Sequence, residues 1–148
     1  MKRLWMAVTG LLMLVPSVAF AAEPAAPPPS CAEDQKFREQ DFTIGTWNVY
    51  SNGKLSAQVR MERSLNGCAI HEVWTTEGGR PGSGLGLFTY SRLSGKWQYL
   101  WAADTGASTS FEGSLIGAGE MRYVTVKPLP GGKSRLRHWS LIAQPDGG

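Results

Sequence analysis

Glu72 is the carboxylate whose neighbours give it something to do. Two-residue alternation through Cys68, Ile70, Glu72 and Trp74 puts it on one strand face with apolar residues. A carboxylate there must find a partner or hold its proton. Arg135 and Arg137, two apart and therefore on one face of a later run, are the cations available to meet it. Such a pair would either brace the interior or orient the polar head of a bound molecule. Trp97, Tyr99 and Trp101 form an aromatic stripe with the same period. It either fills a core or walls an apolar pocket whose indole and phenol groups serve as polar handles.

Other segments carry weaker chemistry. Asp104-Thr105-Gly106-Ala107-Ser108 has the D-T-G-A/S form of the aspartic-protease loop, but that reaction needs two carboxylates about 3 Å apart sharing a proton. Trp101 stands where those enzymes keep an aliphatic residue, and Leu115-Ile116-Gly117 follows too soon to form a lobe. A hairpin turn is the simpler reading. The glycine-rich stretch from Gly78 to Gly86 lacks Gly-Lys-Ser/Thr and a following helix, so it reads as a loop at a barrel mouth, a candidate lid, rather than a phosphate cradle.

His71 and His138 show no metal-ligand spacing. His71 reads as a surface residue and His138, on the face of Leu136, as a half-buried imidazole. No nucleophile elbow is present. Catalytic residues, metal ligands and cofactors are therefore not expected. Cys31 and Cys68 are the two cysteines. In an oxidising compartment they read as a disulfide, and otherwise as two unpaired core residues.

These side chains must be positioned by strands. After Asp41 the chain breaks into short runs rich in aromatic and β-branched residues, separated by Gly, Asn and Pro signals. The runs are Phe42 to Ser51, Leu55 to Leu65, Cys68 to Thr76, Leu85 to Ser91, Lys96 to Ala102, Ser108 to Leu115, Glu120 to Lys127 and Ser134 to Ala143. Short connectors between them imply antiparallel neighbours. In the second run Leu55, Ala57, Val59 and Met61 alternate with polar residues, giving one dry face. No amphipathic helix is available to cover it. The expected fold is all-β: a single antiparallel meander barrel of about eight strands, a sheet that covers its own dry face. Ala32 to Gln40, with Phe37 its one aromatic, is expected to form a short helical turn that packs that ring against whatever follows.

The N-terminus bounds compartment and charge. Basic Lys2-Arg3, an apolar stretch from Leu4 to Val18 and a small-x-small Ala19-Phe20-Ala21 read as a signal peptide over residues 1–21. A Pro/Ala-rich leader fills 22–30, and a single barrel domain 31–148. Export to the periplasm or beyond follows. Without the signal's Lys2 and Arg3, the 15 basic residues fall to 13 against 12 acidic, so the net charge drops from +3 to +1. A near-neutral chain without basic clusters argues against nucleic-acid binding or an anionic-membrane stripe. The apolar run is too short to span a bilayer, so no stable membrane insertion is expected after cleavage.

Asp41-Phe42-Thr43-Ile44-Gly45-Thr46-Trp47-Asn48-Val49, Gly67-Cys68-Ala69-Ile70-His71-Glu72-Val73-Trp74 and Gly95-Lys96-Trp97 resemble, in order, the F-D-F-x-x-G-x-W, G-C-A-x-x-E-x-W and G-K-W motifs of a group of uncharacterised secreted bacterial proteins. The resemblance runs from Asp41 to the C-terminus. It implies a calycin-like barrel, the architecture of lipocalins, fatty-acid-binding proteins and nitrobindins, and says much less of activity. Lipocalin-type proteins set an Arg over the first-strand Trp, a part for Arg135 or Arg137 over Trp47. Nitrobindins carry a late haem-binding His, matched in position only by His138. In these relatives a D-G-G turn leads into a closing strand, whereas this sequence stops at Pro145-Asp146-Gly147-Gly148. The barrel is thus expected to keep an open seam, or the sequence to be a shortened form of its relatives.

The function these readings favour is a non-catalytic exported barrel that binds a small apolar or amphipathic molecule. Trp74, Trp97, Tyr99 and Trp101 would be its walls, and Glu72 with Arg135 or Arg137 its polar contact. The alternatives are a solidly packed envelope protein, and a lipocalin-like enzyme or nitrobindin-like haem protein. Oligomeric state is not legible.

Overall fold

In the computed structural model, residues 28–145 are described. The expected signal segment and residues 22–27 of the leader lie outside them. All eight expected runs are strands: β1 Gly45–Ser51, β2 Lys54–Ser64, β3 Ala69–Thr76, β4 Gly84–Ser91, β5 Lys96–Ala103, β6 Ser108–Gly117, β7 Glu120–Pro128 and β8 Ser134–Ile142. They pair antiparallel in chain order as one curled sheet. Among the described residues no ladder joins β1 to β8, so the sheet curls into a half-barrel with a seam.

Turn chemistry sets this meander. Asn52 and Gly53 both take positive φ, 51° and 73°, the mirror-image turn whose twist matches the strands it joins. The first run begins later than its pattern suggested. Asp41–Thr43 is a 3-10 turn, held by the Thr43 hydroxyl on the Gln40 carbonyl at 2.9 Å and by the Trp47 indole N–H on the Thr43 carbonyl at 2.8 Å.

Strand polarity divides the connections between two ends of the sheet. At one end, the base, lie the β2–β3, β4–β5 and β6–β7 turns and the N-terminal segment. At the other, the mouth, lie the β1–β2, β3–β4, β5–β6 and β7–β8 turns. The base is plugged. The 3-10 turn Gln35–Arg38 buries Phe37 edge-on to Tyr90, centroids 5.5 Å apart. Gln40 is fully buried and accepts a hydrogen bond from the Tyr123 hydroxyl. Cys31 and Cys68 form a disulfide, Cα atoms 4.9 Å apart, that ties this plug to the start of β3.

The core lies on the inner face: Val59, Met61, Ile70, Phe88, Trp97, Tyr99, Phe111, Met121 and Tyr123. Its rings pack in two stacks, Phe88 on Tyr99 at 4.1 Å and Tyr123 on Trp139 at 4.6 Å. Trp139 also stands edge-on to Tyr99 at 5.4 Å, which joins the stacks.

Candidate functional site

Period-two alternation turns Trp74, Tyr99 and Trp101 inward with Glu72, and the register gathers them. Glu72 pairs with Gly86 on β4, and Gly86 pairs with Trp101 on β5. Gly86 is the reason the row fits. A Cβ there would run into the Glu72 carboxylate and stand 2.7 Å from the Tyr99 ring, so the missing side chain is the space those groups occupy. Gly84 does the same for Trp101, whose ring would lie 2.6 Å from a Cβ at that position.

These side chains line a cavity of about 910 Å³ inside the half-barrel. Trp47, Val49 and Val59 supply the β1–β2 wall, Phe88 and Phe111 the floor, Trp139 and Leu141 the β8 wall, and Gly82 and Ala107 the mouth. Trp74 and Trp101 meet edge to face at 6.3 Å on the upper wall. Aromatic and aliphatic walls with a few convergent polar groups, at this volume, are the ordinary make-up of a small-molecule site.

Glu72 is 4% exposed. Its Oε2 accepts a hydrogen bond from the Tyr99 hydroxyl at 2.7 Å. Burial holds its carboxyl above the ordinary carboxylate value, and the Tyr99 bond acts more weakly in the opposite direction. Burial, with the Glu72 charge beside it, raises the Tyr99 phenol so that it stays a donor.

This arrangement corrects the expected Glu72–arginine pair. Among the described residues no ion pair joins Glu72 to Arg135 or Arg137. The gap at Gly86 brings the Tyr99 hydroxyl to the carboxylate, while the arginines lie on β8 toward the mouth. Arg137 lines the cavity; Arg135 is exposed on the β7–β8 hairpin. Among the described residues neither forms the expected cover of Trp47, and the cation–aromatic contact is Arg92 over Phe37 at 5.1 Å.

Trp97 is also placed differently. It belongs to the inner stripe, but at the base it is core, 1% exposed, with its indole N–H donating to Glu39 Oε2 at 3.1 Å. It does not line the cavity. His138 is exposed opposite Val124 on the outer face, so it cannot ligate a haem held inside. His71 is half-buried, paired with Leu87. Among the described residues no three His, Cys, Asp or Glu side chains cluster as a metal site.

The two loop motifs meet each other. Asp104 Oδ1 accepts from the Gly82 amide at 2.7 Å, and the Asp104 amide donates to the Ser83 carbonyl at 2.8 Å. The protease-like aspartate is thus a tie between the β5–β6 turn and the glycine-rich loop. Arg80 fastens that loop further by donating to the Ser56 carbonyl at 3.1 Å. It sits at the mouth, as expected, but pinned.

Sequence reasoning missed Trp47, Phe88, Phe111 and Trp139 as cavity residues. Alternation was the available signal for each. In β8 it was obscured because Trp139 shares its face with two arginines. Comparison with protein-family models, curated proteins and solved structures finds no match to this chain.

Proposed function

We propose that this chain is a non-catalytic exported binding protein whose half-barrel holds a small apolar or amphipathic molecule. The cavity of about 910 Å³ carries the reading. Trp47, Trp74, Trp101 and Trp139 offer apolar walls, Glu72 an acceptor in the interior and Arg137 a cation along the same cavity. The signal-like N-terminus and the Cys31–Cys68 bridge support export to an oxidising compartment.

Tryptophan fluorescence and thermal melting of the protein, titrated with fatty acids, isoprenoids, sterol-like molecules and haem, test it. One ligand class should quench emission and raise the melting temperature, and Trp101→Ala should weaken both responses. A flat response across the panel, in protein whose purified form carries nothing extractable by organic solvent, would sink it.

A second reading, a packed structural or interaction protein, is favoured by the stacked Phe88–Tyr99 and Tyr123–Trp139 pairs that fill the inner face toward the base. It leaves the space between Trp74, Trp101 and Trp139 without a use. The haem reading is not favoured, because its one candidate ligand, His138, is on the outer face.

A further inference from the structure

Ion pairs are distributed unevenly over this molecule. Lys36–Glu39, Arg38–Asp41, Arg63–Asp41 and Arg92–Asp34 join the base. Arg60–Glu62, Lys96–Glu112 and Arg122–Glu120 join side chains on the strands. Among the described residues none lies on the mouth turns. Yet the mouth is where Lys54, Arg80, Lys127, Lys133, Arg135 and Arg137 collect, against Glu77 and Asp104. Asp104 is already engaged by the Gly82 amide. Between Glu120 and Asp146 the sequence holds no acidic residue.

The β7–β8 hairpin concentrates this. Lys127 pairs directly with Arg135, and like charges facing each other across a ladder work against the sheet. Among the described residues no ion pair engages either side chain. One rung inward Val126 pairs with Leu136; they are 61% and 63% exposed and lie on the opposite face. The hairpin tip therefore shows cations on one side and bare aliphatic side chains on the other, beside Arg137 of the cavity wall.

A nucleic-acid groove has no use for the aliphatic side and would want aromatic platforms among its cations, and the hairpin has no aromatic residue from Lys127 to Arg137. An anionic bilayer surface uses both sides. Lysine and arginine meet lipid phosphates, and short aliphatic side chains enter the headgroup boundary. We propose that the β7–β8 hairpin docks this protein, mouth first, on an anionic phospholipid bilayer. The near-neutral net charge of the mature chain conceals this patch, because most of the acidic residues lie away from the mouth.

The test is co-sedimentation of the protein, expressed as the full chain and purified from the periplasm, with vesicles of phosphatidylcholine alone or mixed equally with phosphatidylglycerol. Binding is expected to the mixed vesicles only, and to fall as salt is raised. Replacing Lys127, Lys133 and Arg135 together by Gln should lower the partition coefficient roughly 100-fold. Val126→Ser with Leu136→Ser should lower it while leaving its salt dependence unchanged. Hydrogen exchange of the unmodified protein, with and without mixed vesicles, removes any dependence on how the variants fold: protection should appear over residues 124–138. Equal binding to both vesicle types, an unchanged triple variant, or protection at the base would each overturn the proposal. So would equally tight binding to a DNA duplex that ignores the Val126 and Leu136 changes, which would make the patch a general polyanion surface.

Discussion

The Tyr99 hydroxyl reaches Glu72 Oε2 at 2.7 Å through the space left by Gly86, joining β5 to β3 across an intervening strand. Since the carboxyl is buried and its pKa is raised, the folded state holds a proton over a range in which the unfolded chain has lost it. Stability contributed by the protonated form is fully present below the ordinary value of about 4.5. It declines as pH rises through the elevated folded value. Denaturant melts across pH 4 to 8 should therefore show Glu72→Gln gaining on the parent as pH increases, with the difference levelling once Glu72 is ionised. A difference independent of pH would mean that the carboxyl does not titrate as argued.

Tyr99→Phe removes the donor and leaves the carboxyl in the same apolar wall. An expected loss of about 1–3 kcal/mol follows from leaving a buried polar group without its partner. It should be smaller in the Glu72→Gln background, and the double-mutant cycle measures the coupling.

Gly86→Ala should cost about 1–3 kcal/mol, because its Cβ would press on both members of that pair. Gly117→Ala is the matched control. It also lies in a strand, β6, and a Cβ there meets nothing within 4 Å, so its melting midpoint should stay within about 0.5 kcal/mol of the parent. Equal effects at the two glycines would show that backbone freedom, not space, is what matters.

Cys31 and Cys68 close a loop with a sequence separation of 37, worth about 4 kcal/mol in the chain-entropy account. Urea unfolding with and without reductant reads this directly. Reduction should also loosen the plug, shifting the emission of Trp97, whose indole is bonded to Glu39 in that segment. A reduced protein of unchanged midpoint would remove the bridge from any role in stability.

Gln40 and Tyr123 form the buried polar contact at the base. The Gln40 side-chain nitrogen has no partner among the described residues, so the oxygen's bond to Tyr123 carries the satisfaction of this amide. Tyr123→Phe should cost about 1–3 kcal/mol. Pairing it with Gln40→Met should recover much of that, since two apolar groups leave nothing unsatisfied. Thermal melts of both variants decide.

The strands were legible because turn residues punctuate the chain and alternation assigns each face. Glu72 could be placed inside on that basis alone. Its partner could not, because Tyr99 lies two strands away and meets it only through a register that puts glycine between them. Trp97 and Trp101 look equivalent in sequence; a segment some sixty residues upstream of Trp97 makes one core and leaves the other as cavity wall. The cationic mouth was hidden for a related reason. Net charge is a sum over the chain, whereas pairing is decided in space.

A closed barrel has a fixed girth, set by strand number and stagger. Among the described residues no ladder joins β1 to β8, so closure does not set that girth here. Each of these edge strands has a single ladder neighbour, β2 for β1 and β7 for β8. The width of the cavity is then set by packing on the inner face, where Trp139 of β8 stacks on Tyr123 and stands edge-on to Tyr99, and not by closure of a ladder.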